Sequence, residues 1–344
     1  MFTKNRLIGA HPEVNREHLE RTGGWVRAVL VNSGNANCST GREGVEDNRR
    51  ISAALAGALR CDPTEVLFLS TGVIGARLPT ERILNGLPSL LERASPDGAP
   101  DFARAIMTTD TRPKTASADA GEAGVVGFAK GSGMIHPDMA TMLGFLVTDA
   151  ALPEDPRSLL RTTCDSSFNR VSVDGDTSPN DTVILLGGEV DAGDRLAPAL
   201  REVSVRLARD IASDGEGASR LVTIRVEGAV DTETATHIGR TVATSPLVKT
   251  AITGRDPNWG RIVSAAGRAG VPFDPDSARL WIGPGLVFER GLPHPEAEAA
   301  AHEHMLKESE VLVRLDLGAG EASADVWTCD LTADYVSINA DYRT

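Results

Sequence analysis

Residues 130–143 read KGSGMIHPDMATML. A segment loosened by Gly131 and Gly133 runs into a small residue, Ala140, and then Thr141, which opens a hydrophobic, strand-like run. The Ala140–Thr141 junction has what an intramolecular N-to-O acyl shift needs: a hydroxyl beside its own scissile carbonyl, with flexible neighbours. Cleavage there would make Thr141 a new N-terminal residue. Its hydroxyl would be a nucleophile, and its α-amine, with a free-amine pKa near ~8, could serve as the base. The plainer alternative is a glycine turn feeding a buried strand with Thr141 as an ordinary β-former.

Working outward, residues 124–129 and 141–147 read as strands on either side of this loop. Val66, Leu67, Phe68 and Leu69 form a continuous apolar run ending at Ser70-Thr71-Gly72. Such a run suits a buried strand whose end presents backbone N–H groups. Residues 25–31 form another β-rich run that should stop at the turn-forming NSGNAN of residues 32–37. Ile51, Leu55 and Leu59 recur at helical spacing, and further helices are expected over 80–93, 156–165 and 195–211, with strands at 182–186 and 221–226. This alternation predicts an α/β fold with large sheets. The loop at 228–231 suggests a main domain over 1–228 and a second α/β lobe over 229–330. The tail, 331–344, contains Tyr335 to Asn339, which alternate like a strand.

Composition removes several classes of function. With 344 residues, 41% of them hydrophobic, the chain can bury a large core. No run approaches the length of a membrane helix, and the first residues lack a signal-peptide core, so a cytoplasmic location is expected. A net charge of -13 with scattered Lys and Arg, and 4% aromatic content, disfavour nucleic-acid binding. Cys38, Cys61, Cys164 and Cys329 lie far apart without a CxxC pair, so no metal site is expected. No phosphate-binding glycine motif is complete: GxxxxGK[ST] is absent, and Gly215-Glu216-Gly217 lacks a third glycine. No cofactor is expected. Arg112, Lys114, Lys130, Lys249, Arg255 and Arg261 remain as cations that could receive a small anionic substrate.

Together with STGVIG (70–75), TTDT (108–111), DGEG (214–217), DPNWGR (256–261) and the tail YVSINADYRT (335–344), the opening stretch resembles the ornithine acetyltransferase family. The blocks keep that family's order along the whole chain. The resemblance implies an α-β-β-α sandwich of the autoprocessed N-terminal-nucleophile type, cut into an α chain of residues 1–140 and a β chain of residues 141–344. These chains would associate as an α2β2 heterotetramer. It implies an acetyltransferase of arginine biosynthesis, moving acetyl from N-acetylornithine to glutamate through an acetyl-threonine ester, with acetyl-CoA as an optional second donor. Thr141 would be the nucleophile, with Thr71 and Gly72 as the oxyanion hole. Thr108, Thr109, Lys130, Thr141, Glu216, Asn339 and Thr344 would bind substrate. The chain enters the family pattern at a segment like residues 2–19, after early strand material, which implies a first sheet with an uncovered edge. Two rivals stay open: an autoprocessed amidase or aminopeptidase with water as acceptor, and an inactive, shortened oligomer partner.

The junction generates a test by intact mass. Spontaneous cleavage should give fragments of 140 and 204 residues (344 − 140 = 204). Thr141→Ser should still cut, while Thr141→Ala should leave one full-length chain; two fragments from the alanine variant would refute the reading.

Overall fold

The computed structural model describes residues 1–136 and 142–341. After helix α1 (Ala10–Arg21), strand β1 (Ala28–Asn35) and strand β2 (Val66–Val73) pair in parallel, linked through helix α2 (Gly41–Leu59). Helices α3 (Thr80–Glu92) and α4 (Ala99–Ala105) follow. The four apolar residues that open β2 are uninterrupted because both faces of the strand are covered. Val66 and Phe68 meet Leu55, Leu87, Ile51 and Leu78 of the helical layer. Leu67 and Leu69 point the other way, against Phe128, Leu143, Phe145 and Ile184 of a second sheet. Each such side chain contributes about 1.5–3 kcal/mol on burial.

That second sheet has the order β3-β4-β5-β6, built from β3 (Lys114–Ala120), β4 (Ala123–Lys130), β5 (Leu143–Ala151) and β6 (Thr182–Gly188). Strands β3, β4 and β5 run antiparallel, and β5 pairs in parallel with β6 after a crossover containing α5 (Pro156–Asp165). Its outer face receives α6 (Leu196–Ser213), whose Leu200, Val203, Leu207 and Ile211 share a core with Val125, Leu146 and Val183. Gly127 lets α6 sit close, since a Cβ there would lie 2.4 Å from Val203 Cγ1. Phe102 of α4 closes the seam between sheets, edge-on to Phe128 and Phe145 at 5.4 and 5.1 Å between centroids. Helix, sheet, sheet, helix is the layering the family resemblance implied.

The second lobe is a six-stranded mixed sheet, β10-β9-β8-β11-β7-β12. Its strands are β7 (Leu221–Ala229), β8 (Arg279–Ile282), β9 (Gly285–Glu289), β10 (Leu292–Pro293), β11 (Glu310–Asp316) and β12 (Ala322–Cys329). Helices α7 (Thr232–Ala243), α8 (Pro246–Thr253), α9 (Trp259–Gly267) and α10 (Glu298–Lys307) bury Ile238, Val248, Ile262 and Met305 with Val222, Ile224 and Val226. The lobes are tied by Arg209 of α6, which grips the Glu310 carboxylate through two hydrogen bonds of 3.0 and 2.7 Å. In the DPNWGR block, Asn258 caps α9 and Trp259 stacks on Phe288 at 5.5 Å. Its role is architectural.

Three boundaries differ from the sequence reading. Strand β1 continues through Asn35 into the expected turn, because Asn32, Ser33 and Gly34 pair with Ser70, Thr71 and Gly72. The sheet of the second lobe begins at Leu221, since β7 lies between β11 and β12. The tail is not a strand but helix α11 (Ala333–Asp341). Its short alternation also satisfies helical spacing: Tyr335 and Asn339, four residues apart, share a face, and Asn339 Nδ2 donates to Tyr335 O at 3.0 Å. At the other end of the chain, Phe2 bridges Thr182 of β6.

Candidate active site

Strand β4 ends at Lys130 and β5 begins at Leu143, directly opposite it in the antiparallel register. The KGSGMIHPDMATML stretch is thus the connection at one end of this pair, beside the ends of β1 and β2. A cavity of about 220 Å³ opens there. Its lining includes Thr71, Gly72, Thr108, Thr109, Lys130, Glu216 and Asn339, so five blocks scattered over the chain supply walls of one space. Met142 and Leu143 line it too. Ala140, Thr141 and Thr344 lie outside the described residues.

Thr71 and Gly72 sit where β2 ends. Gly72 has φ +128°, and a Cβ would fall 2.3 Å from the carbonyl carbon of Gly34 on the paired strand. Only glycine fits this close approach. The neighbouring turn is fixed by asparagines: Asn35 Nδ2 donates to Ala76 O and Arg77 O at 3.1 Å. Asn180 Nδ2 donates to Ser70 O at 2.7 Å and also to Ala36 O. The backbone that presents Thr71 is therefore held from three sides.

Behind the cavity lies a buried ionic knot. Lys114 Nζ stands 2.6 Å from Asp110 Oδ1 and 2.5 Å from Asp214 Oδ2, all three side chains being almost fully buried. Asp110 also accepts the N–H of Thr108 at 3.0 Å and of Gly131 at 2.7 Å. Asp214 accepts the N–H of Thr111 at 3.1 Å and its hydroxyl. Burial would raise the Asp110 carboxyl, but Lys114, Lys130 and the Gly131 N–H outweigh it and hold it below its ordinary value.

The ligand-facing side chains are placed by this frame. Lys130 Nζ meets Thr108 Oγ1 at 3.4 Å, and burial lowers its ammonium pKa against the pull of Asp110, Asp181 and Glu216. Thr109 Oγ1 is 2.7 Å from Ser132 Oγ, whose carbonyl accepts the Glu216 N–H at 2.9 Å. Glu216 packs against Gly133, where a Cβ would collide with its carboxylate at 2.3 Å, and accepts from Asn339 Nδ2 at 2.9 Å. Helix α11 thereby carries the tail back to the cavity. Lys130 is the one basic side chain among the described lining residues, facing the carboxyls of Asp174, Asp176, Asp181 and Glu216.

Four of the other expected cations are used elsewhere, and Arg255 does not line the cavity. Lys114 is the structural lysine of the knot. Lys249, also buried, donates to Val173 O, Thr328 Oγ1 and Cys329 O at 2.8, 3.0 and 2.6 Å. Arg112 and Arg261 bond Ser213 Oγ and Leu247 O. Asp174, Asp181 and Tyr335 also line the cavity, with no site role expected of them from the sequence. Asp174 accepts the N–H groups of Met134 and Ile135 at 2.6 and 2.9 Å, which fixes the left-handed turn at Met134, φ +55°. Its place in the SVDGDTS run looks like ordinary loop chemistry, so only the fold reveals it. Among the described residues no acid, histidine and thiol cluster could hold a metal, and no helix is long and apolar enough to cross a membrane.

An α-β-β-α body whose strand ends enclose one lysine and several carboxyls defines a site for small charged molecules. Comparison with known proteins gives the family: the ArgJ family model matches residues 1–344, and the chain belongs to that family. The arginine biosynthesis bifunctional protein ArgJ of Parasynechococcus marenigrum is 46% identical over 353 residues, covering 100% of this chain and 86% of that protein. Its counterpart from Thermus thermophilus is 46% identical over 348 residues, covering 99% and 89%. The crystal structure of the ArgJ protein from Bacillus halodurans superposes with a TM-score of 0.55 at 34% identity, over 58% of this chain and 98% of that one.

The knot predicts a steep penalty for losing its cation. Lys114→Met should cost about 3–5 kcal/mol by chemical denaturation, because two buried carboxylates lose their partner. Since the Asp110 pKa is lowered in the folded state, its contribution is full above the ordinary carboxylate range and is lost as pH falls from that range through the lower folded value. A Lys114→Met protein as stable as wild type at neutral pH would contradict the assignment.

Proposed function

We propose that the protein is an acetyltransferase of arginine biosynthesis that cleaves itself at Ala140–Thr141 and then moves acetyl from N-acetylornithine to glutamate through an ester on Thr141. The observation that carries this reading is the cavity itself, where Thr71, Gly72, Thr108, Thr109, Lys130, Glu216 and Asn339 converge beside Met142, the residue after Thr141. The charge pattern supports the substrate class. N-acetylornithine has an α-carboxylate suited to Lys130 and a side-chain ammonium suited to Glu216, which Asn339 steadies. Thr108 and Thr109 add hydroxyls, and Thr344, outside the described residues, is the last substrate contact that the family resemblance implies.

In this mechanism the Thr141 α-amine removes the hydroxyl proton, and the alkoxide attacks the acetyl carbonyl. Thr71 and Gly72 stabilise the tetrahedral oxygen. Ornithine leaves, and glutamate then takes the acetyl group from the ester. The 1–140 and 141–344 fragments stay together because β4 and β5 pair across the cut, and they assemble as an α2β2 heterotetramer in the cytoplasm. The transfer itself needs no resident cofactor, with acetyl-CoA an optional second donor.

Initial-rate plots against N-acetylornithine at several glutamate concentrations should be parallel, as a ping-pong route requires; intersecting lines would favour a ternary complex. Thr71→Ala should lower kcat about a hundredfold with little change in KM, since the lost donor acts on transition-state charge. Normal turnover with a raised KM would make Thr71 a ground-state contact instead.

A further inference from the structure

Asp181 lines the cavity, is 2% exposed, and its Oδ2 finds no hydrogen-bond partner among the described residues. An unpaired buried carboxyl oxygen is costly, and more so when charged. The backbone that carries it is fixed on both sides. The Asp181 carbonyl accepts the Thr3 N–H at 2.8 Å, and the next residue, Thr182, donates its N–H to Met142 O at 3.0 Å. Asp181 therefore lies beside Met142 and the start of β5.

Burial favours the neutral acid at Asp181, while one neighbouring cation keeps its ionisation within reach. Lys130 approaches from β4, with Asp110 and Glu216 around it, while Asp174 and Asp176 belong to the same lining. His11 of α1 contacts the adjacent Thr182 hydroxyl at 3.0 Å, and burial lowers its pKa to about 3, so it adds no charge. Burial pushes the Asp181 carboxyl well above its usual range, with Lys130 and hydrogen bonds from Ser178 and the Met142 backbone opposing.

This part rests on the acetyl transfer proposed above, whose proton count leaves one proton unassigned. In the first half-reaction the amide C–N bond breaks and the ester C–O bond forms, while the Thr141 hydroxyl proton travels through the α-amine to the leaving nitrogen. The amine departs neutral and, at neutral pH, binds one more proton. In the second half-reaction the acceptor arrives as an ammonium and must lose one proton before its lone pair can attack the ester. The second N–H proton then returns through the α-amine to the threonine oxygen.

We propose that Asp181 is the store for the unassigned proton: its carboxylic acid gives a proton to the departing amine, and the resulting carboxylate takes one from the incoming ammonium. Over a cycle the carboxyl returns to its starting state and no co-reactant is needed.

The test compares two acceptors on the acetylated enzyme. Glutamate arrives protonated, whereas hydroxylamine is a free base at neutral pH and has no extra proton to lose. In Asp181→Asn, acetyl transfer to glutamate should fall about a hundredfold, while removal of acetyl by hydroxylamine stays near the wild-type rate. The deficit should narrow as pH rises, and Asp181→Glu should recover part of the loss. Equal losses with both acceptors, or undiminished transfer to glutamate, would overturn the proposal. A wild-type enzyme that releases acetyl to neither acceptor would instead remove the Thr141 reading itself.

Discussion

A lysine ammonium held between two carboxylates out of contact with water organises this molecule. Lys114 lies at the start of β3, Asp110 in the TTDT segment and Asp214 at the end of α6, so the knot joins the inner sheet, the loop before it and the helical layer outside it. Three charges without solvent are costly to assemble, and the arrangement is tolerable only because almost every lone pair is used. The N–H groups of Thr108, Thr111 and Gly131 are spent on those carboxylates. The geometry of Thr108, Thr109 and Lys130 is therefore inherited from charges that never face the ligand.

From that frame the cavity follows by close approach of backbone. Gly72 against Gly34, Gly133 against the Glu216 carboxylate and Gly217 against Tyr335 N are all contacts that a Cβ would abolish. Lobes, sheets and tail meet at these glycines. Asp174 adds the remaining link, binding the N–H groups of Met134 and Ile135, while Lys249 from the second lobe holds the carbonyl of Val173. The segment entering the Ala140–Thr141 junction is thus anchored by residues on both lobes.

Much of this was legible in the chain. The apolar run of β2, the helical spacing of Ile51, Leu55 and Leu59, and the strands on either side of the 130–143 stretch each reflect burial that leaves a periodic trace. Family blocks brought together Thr71, Gly72, Thr108, Thr109, Lys130, Glu216 and Asn339. What escaped has physical reasons. Residues 335–339 satisfy both a two-residue and a four-residue period over so short a span that only contact with Glu216 and Gly217 selects the helix. Asn32 and Ser33 look like turn residues, yet the parallel partner strand draws them into β1. Asp181 is one acid among many in sequence, and its distinction, a buried oxygen without a partner, exists only in three dimensions.

The central claim, an acetyl ester on Thr141, is open to one direct measurement. Enzyme mixed with N-acetylornithine, with no acceptor present, should be quenched in acid and its fragments weighed and mapped. The account predicts a fragment beginning at residue 141 that is heavier by one acetyl group, located on Thr141 and lost on adding glutamate. An unmodified fragment in enzyme that still turns over, or acetyl on another residue, would contradict it.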